Sequence, residues 1–504
     1  MSVERAKGRK DDQSAPRPAP APARKAPRTD AASSIEGKSP AIQPAPLAPD
    51  AIDSFDKAHA SLLARTNVEA MRREAIDIPR VFTLERMRAL ARALGDPHTS
   101  FRTVHVAGSK GKGSVCEMTA AALRGCGFAV GLYTSPHLVD VRERIRIGPR
   151  MISPEEFTVL TRRVLEAAAT LPRKLGEPTY FECLTALALL HFSEQAVDIA
   201  VIEVGLGGLL DATNIVTPDV TAVTSIHLEH TDILGETLEK IASHKAGIFK
   251  DGVPALTAVQ DDAALQVLRA AAETAGARLR VLGQDDLVYA ESFSSRHDLG
   301  PHFKVSLATP SCNFEHVPVP LKGEPQARNC ALVLAIVDSL RQKGMNLPDA
   351  QVCEGLARTP NLGRLELIYR EPRIVIDGAH TKESVQALVK AVGQQMRYDS
   401  LVVIFGCNAD KDLHGMLGAM SMGADKIIFT RNADNDRAVE PRDLQRRFAD
   451  ICGKQAQTAP SVRDAINMAA KAVGQGDMIL VTGSFSIAGE AKRLLDEKTR
   501  ASRK

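Results

Sequence analysis

The chain has 504 residues, 44% of them hydrophobic and 25% charged, enough for two to four soluble globular domains. A net charge of +3, no tryptophan and 4% aromatic residues argue against a surface that grips nucleic acid or stacks single-stranded bases. No run approaches the roughly 20 apolar residues of a membrane-spanning helix. The eight cysteines are scattered without a C-x-x-C pair, as reduced thiols are, and form neither a disulfide framework nor a zinc pattern.

The start, "MSVERAKGRKDD", is charged with no apolar segment behind it, which predicts no secretory leader and a cytoplasmic location. Met1–Pro49 holds nine Lys/Arg against five Asp/Glu, so the rest of the chain is nearly neutral. "APRPAPAPARKAPR" has nothing to bury in a core, and residues 1–50 are read as a disordered Pro/Ala-rich tail.

Composition becomes globular at residue 51. "TLERMRALARALG" has helical apolar spacing and stops at Gly95. Then β-branched apolar runs alternate with amphipathic stretches: "TVHVAG", "AVGLYT", "DIAVIEVG", "VTAVTSI" and "VPALTAV". Continuous apolar runs mark strands buried on both faces of a parallel sheet, and their alternation with helices marks βαβ units. Between residues 285 and 320 the texture changes to alternating strands, which predicts a small antiparallel patch. "LARTPNLGRLELI" carries Pro360 and Gly363 and reads as a hinge. A second series follows: "RIVIDGAH", "SLVVIFGC", "DKIIFTR" and "DMILVTGS". The expected fold is α/β with mostly parallel sheets, in two domains, 51–357 and 358–504, with ligands bound in the cleft between them.

Four places carry chemistry. "VAGSKGKGS" follows the first strand and precedes a helix, so its glycine-rich turn presents free backbone N–H groups at a helix N-terminus, where an anion is favoured. It does not fit the usual phosphate loop, G-x-x-x-x-G-K-S/T, because Gly108 lies too near Gly111-Lys112 and Gly113 separates the lysine from Ser114. Glu203 ends a buried strand, which suits either a magnesium ligand or a cap on the following glycine-rich turn. "SIHLEHTDILG" ends another strand with His227, Glu229, His230 and Asp232, whose spacing fits no structural zinc pattern; a polar, self-satisfied turn is the alternative. Asp377 with His380, and Ser484, sit in strand–loop junctions of the second series and read as ligands or as helix caps. No G-x-S-x-G hydrolase elbow surrounds these serines.

Taken in order, "HVAGSKGKGS", "YTSPHL", "TYFECLTALAL", "VIEVGLGGLLDATN", "HLEHTDILG", "IASHKAGIFK", "LKGEPQARN", "LGRLEL" and "IDGAHTKES" closely resemble the serial motifs of the folylpolyglutamate synthase/dihydrofolate synthase family, amide ligases related to the Mur ligases. The resemblance runs from about Phe82 to Gly489 and excludes the tail. That family's loop is the short form G-x-x-G-K-G-S, which this chain satisfies. Two positions depart from it: Lys110 stands where an amide is usual, and Thr381 follows His380 where asparagine is usual.

The resemblance implies a Mur-ligase-like fold, with a phosphate-loop domain and a smaller Rossmann-like glutamate-side domain. It also implies ATP-dependent addition of L-glutamate to dihydropteroate or a reduced folate, with ATP and Mg2+, by a monomer that needs neither nucleic acid nor membrane. By motif, Gly108, Gly111, Lys112, Gly113 and Ser114 cradle phosphates, and Asn329, Arg364 and Asp377 contact ATP. Ser135, Glu203 and His230 hold the metal. Thr179, Phe181, Glu182, Asp211 and Ala212 face the pterin; His380 and Ser484 face glutamate. Lys112, Lys245, Asp377 and His380 are the expected catalytic residues, Lys245 as a carbamate, although by its segment alone it reads as an exposed surface lysine.

Three alternatives stay open at this point. One is another Mur-type amino-acid ligase. A P-loop regulatory NTPase, or a nucleic-acid-associated binding module using the basic tail, is a second, though it leaves the Asp377–His380 and Ser484 loops without a role. The third is a non-catalytic paralogue. Because every motif lies beyond the tail, deleting Met1–Pro49 is expected to leave kcat and KM unchanged; a large rise in the pterin KM of the truncated protein would contradict this.

Overall fold

Strands β1 (Arg102–Ala107), β2 (Val130–Tyr133), β3 (Ile145–Ile147), β4 (Arg150–Met151), β5 (Ile199–Glu203), β6 (Val220–Val223), β7 (Ala255–Thr257) and β8 (Leu279–Val281) form one sheet in the order β4-β3-β2-β5-β1-β6-β7-β8. From β2 to β8 every neighbour is parallel, and β3 and β4 add an antiparallel edge. β1 from Thr103 onward, β5 and β6 are buried throughout, as strands covered by helices on both faces must be. These coordinates are a computed structural model and describe residues 48–68, 82–284, 286–296, 299–432, 435 and 437–502. Nearly all of the expected tail lies outside them. Among the described residues no helix is long and apolar enough to cross a membrane.

β9 (Val288–Arg296), β10 (Gly300–Ala308) and β11 (Asn313–Pro318) make a three-stranded antiparallel sheet. Its inner residues Val305, Leu307, Phe314 and Val317 join the core around the helix Glu324–Gln342, which is buried from Cys330 to Leu340. A six-stranded sheet follows, built from β12 (Glu366–Tyr369), β13 (Arg373–Ile376), β14 (Leu401–Phe405), β15 (Lys426–Phe429), β16 (Gln457–Thr458) and β17 (Met478–Thr482), in the order β12-β13-β17-β14-β15-β16. All its neighbours are parallel except β12 with β13. Both large sheets therefore end their parallel strands in loops where ligands of such folds bind.

The helix after β1 starts earlier than its apolar pattern indicates, spanning Lys112–Gly125. Gly111 takes the left-handed conformation at its N-cap, φ +88, so Lys112, Gly113 and Ser114 form the first turn rather than a loop before it. Thr381 has an equally local role. Its hydroxyl caps the helix Lys382–Gln395 at Ser384 N–H, and Ser384 Oγ accepts from Thr381 N–H at 2.9 Å. Asparagine and threonine are both good N-caps, so this departure keeps the local structure.

Candidate active site: a phosphate loop facing a second α/β sheet

The loop Gly108–Gly111 is tied to the end of β6. Lys110 accepts from Thr224 Oγ1 at 2.6 Å and from Ser225 Oγ at 3.1 Å through its carbonyl, and Ser109 N–H donates to the Ser225 carbonyl at 2.7 Å. Lys112 Nζ folds back to donate to the Gly108 carbonyl at 2.8 Å. Two residues from outside press on the loop's glycines. A methyl at Gly111 would lie 2.6 Å from Asn329 Oδ1, and one at Gly113 would lie 2.6 Å from the Arg364 guanidinium. Glycine is favoured at Gly111 by its left-handed backbone and by Asn329, and at Gly113 a side chain would have to displace the Arg364 guanidinium.

Glu203 stands at the end of β5, buried, and Oε2 accepts the backbone N–H of Ser135 at 3.0 Å. Burial raises its pKa, against the opposing pull of Lys112, the Ser135 N–H and Arg364. A buried carboxylate beside the serine and the first turn of a phosphate helix, with His230 also on the cleft wall, is a donor set of few protein atoms. That suits Mg2+, which keeps waters and phosphate oxygens in its shell. His230 itself begins the short helix Thr231–Leu234 with φ +47.

Lys245 is not a surface residue: it is 1% exposed, and Nζ donates to Glu229 Oε1 at 2.8 Å. Burial pushes its pKa down to about 8, although Glu229 pulls the other way. Burial works against ionised Glu229, but Lys245 and Lys112 hold its carboxyl well below the usual carboxylate range.

On the opposite wall, Asp377 at the end of β13 accepts Ala379 N–H at 2.9 Å and Leu365 N–H at 3.0 Å, which fixes the segment carrying Arg364. Desolvation pushes its pKa up to about 6. His380 is driven down to about 4, by burial first and then by Lys110. Its Nδ1 lies 2.8 Å from the Gly378 carbonyl. A carbonyl only accepts, so Nδ1 carries the proton of the neutral ring and Nε2 is left as an acceptor. Ser484 is buried and caps the helix Phe485–Ser502 through Ile487 N–H at 3.2 Å.

The pterin-side candidates have several of their polar atoms engaged. Glu182 completes a capping box with Thr179 at the start of the helix Tyr180–Glu194, and pairs with Arg86 Nε at 2.8 and 3.0 Å. Asp211 is fully buried and accepts Leu206 N–H at 2.8 Å, Thr213 N–H at 3.0 Å and Thr213 Oγ1 at 2.5 Å. Thr213 Oγ1 is in turn 2.8 Å from His105 Nε2, and burial holds His105 neutral, down to about 3. Phe181 leans on Gly205 and on Tyr133, ring centroids 5.9 Å apart, and Ala212 lies beside it on the wall.

All of these candidates except Gly108 and Lys245 line one cleft of ≈ 1760 Å³. Typical small-molecule sites take 300–1,000 Å³, so this cleft has room for more than one ligand. Gly108 and Lys245 sit directly behind its wall, touching Lys112 and Glu229. Two residues that organise the site carry no sequence signal for the part they play: Arg86 and His105. Their partners are 96 and 108 positions away, and the pairing of Glu229 with Lys245, 16 positions on, likewise has no sequence signal.

A phosphate loop on one parallel sheet, closed by residues that precede a second, is the arrangement of the Mur ligases. The Mur ligase middle domain model matches residues 106–337, and the Mur ligase glutamate ligase domain model matches 363–485. The dihydrofolate synthase/folylpolyglutamate synthase of Bacillus subtilis is 34% identical over 82% of this chain and 94% of its own. Mycobacterium tuberculosis folylpolyglutamate synthase, solved with ADP and AMPPCP, superposes with a TM-score of 0.75 at 30% identity, covering 83% of this chain and 96% of that one. The bifunctional folylpolyglutamate synthase/dihydrofolate synthase of Yersinia pestis, complexed with AMPPNP and a Mn ion, gives 0.70 at 29%, covering 85% and 96%. The chain belongs to the folylpolyglutamate synthase/dihydrofolate synthase family of the Mur ligase superfamily.

Proposed function

We infer that this chain is an ATP-dependent ligase that joins L-glutamate to a folate-type carboxylate. One observation carries the reading: Asn329 and Arg364 close on the glycines of the phosphate loop, so that loop faces the wall bearing Asp377, His380 and Ser484. A carboxylate is a poor electrophile. Its oxygen attacks the γ-phosphorus of ATP, ADP departs, and the acyl phosphate is then attacked by the glutamate amine with loss of inorganic phosphate. Catalysis is positioning and charge neutralisation.

Gly111, Lys112, Gly113 and Ser114 bind the phosphates. Arg364 and Asn329 close over them, and Asp377 sets the Arg364 segment. His380 Nε2, unprotonated, accepts a hydrogen bond from the glutamate ammonium and orients that nitrogen, while Ser484 binds a glutamate oxygen. Thr179, Phe181 and Ala212 form the pterin wall. Glu182 and Asp211 hold that wall in shape through Arg86 and Thr213. Ser135, Glu203 and His230 would hold Mg2+, whose chemistry is neutralisation of phosphate charge. Residues 51–357 are assigned to the ATP side and 358–504 to the glutamate side, in a cytoplasmic monomer acting on small molecules.

Purified protein with ATP, Mg2+, glutamate and either dihydropteroate or tetrahydrofolate is expected to give products heavier by glutamyl residues in mass spectrometry, with matching phosphate release. Glutamyl or other amino-acid addition to a muramyl peptide alone would move the chain to another Mur-type ligase. ATP binding with no adduct on any acceptor would mark a non-catalytic paralogue.

A further inference from the structure

The segment after β2 leaves the phosphate-loop sheet and enters the other core. Its backbone is fixed by Glu143, whose carboxylate accepts Leu138 N–H at 2.7 Å and the N–H groups of Val139 and Asp140 at 3.0 Å. Three residues before Leu138, Ser135 N–H is held by Glu203. Leu138 itself packs against the hydrophobic cluster of the second sheet that includes Ile374, Ile376 and Ile487.

Two glycines receive it. A methyl at Gly489 would overlap the Leu138 carbonyl, and one at Gly363 would lie 3.5 Å from Leu138 Cδ1 and 3.7 Å from the Phe485 ring. Phe485 also covers Gly378, where a methyl would lie 2.7 Å from the ring, and its centroid is 5.9 Å from that of His380. A continuous line of contacts thus runs from Glu203 through Ser135 and Leu138 to Gly363, Phe485 and His380.

We propose that Leu138 is a positioning residue for the ligation: wedged against Gly363 and Gly489, with Phe485 on the same side of Gly363, it registers the His380 wall of the cleft to the Ser135–Glu203 wall. This rests on the functional reading above. Ligation needs the acyl phosphate and the glutamate amine brought to within bonding distance, yet they are held on different sheets. A packed apolar wedge favours the closed arrangement over looser ones, and truncating it shifts that balance.

Leu138→Ala and Leu138→Met are compared in the full chain. For Leu138→Ala the glutamate KM is expected to rise about tenfold, while ADP affinity by calorimetry stays within about threefold. Leu138→Met, which refills the volume, is expected to restore KM. Hydrogen exchange supplies a reading independent of turnover. Amides of residues 363–364 and 485–489 are expected to exchange faster in Leu138→Ala, with the helix Lys112–Gly125 unchanged. An unchanged KM and unchanged exchange would overturn the proposal. So would a uniform rise in exchange together with loss of ADP binding, since that is a folding defect. If the wild type makes no glutamyl product, the functional reading fails, and the exchange pattern alone decides on Leu138.

Discussion

Lys112→Ala is expected to lower kcat for glutamate addition by about 10²–10³-fold, the usual cost of deleting one preorganised contact to developing charge. Among the described residues Nζ donates within its own loop, to the Gly108 carbonyl at 2.8 Å. That bond contributes about 0.5–1.5 kcal/mol to folding, so the variant stays folded and its melting temperature falls by only a few degrees. A phosphate in the loop gives Nζ a stronger, charge-assisted partner. Lys112 is also one of the cations that offset buried Glu203 and Glu229. Removing it leaves two carboxylates beside the phosphates with less compensation, so the loss falls on turnover as well as on nucleotide affinity. Steady-state kinetics with calorimetric ATP-analogue binding and a thermal melt separate the effects. Near-normal kcat in a folded variant would remove Lys112 from the phosphate site.

What the sequence made legible follows from strand ends. A buried parallel strand is an unbroken apolar run, so the first polar residues after it stand out: Ser109 and Lys110 after β1, Glu203 closing β5, Asp377 after β13 and Ser484 just past β17. These are the positions that ring the cleft. Three other features were not legible. The helix start at Lys112 depends on Gly111 being left-handed, which an apolar pattern does not encode. The edge strands β3 and β4 are three and two residues long, too short for an alternation to register. The bonds of Glu182 to Arg86 and of Thr213 to His105 join residues about a hundred positions apart. From sequence Glu182 is simply an acid near a substrate motif; in the fold its carboxylate organises the wall. Lys245 was the most ambiguous residue, since nothing in "SHKAGIF" distinguishes an exposed lysine from a buried one.

Lys245→Ala is expected to abolish metal-dependent ligation, with partial recovery in formate or acetate. Lys245 is fully buried, with its amine on Glu229 and its pKa brought down to about 8. About half of it is neutral near pH 8, and a neutral amine adds to carbon dioxide: the N–C bond forms, one proton leaves, and a carbamate anion replaces the ammonium. Beside a phosphate site that must admit a divalent cation, an ammonium repels and a carbamate attracts or orients. The Glu229 pair sets a condition on this chemistry. A carbamate would face a carboxylate that is ionised at all working pH values, so it persists only with cations between them. Lys112 and His230 already act electrostatically on Glu229, and the metal would supply the rest. The sign of the pH effect follows. Because the amine's pKa is depressed from 10.5, the reactive form accumulates as pH rises through about 8, and with metal present the uptake of carbon dioxide should increase between about pH 7 and 9. Trapping with labelled carbon dioxide provides a test that does not require the variant to fold: wild-type protein with metal and nucleotide should hold one carbamate carbon on Lys245. Full activity in Lys245→Ala, or fully active wild type with no trapped label, would leave the residue as one half of a buried ion pair and nothing more.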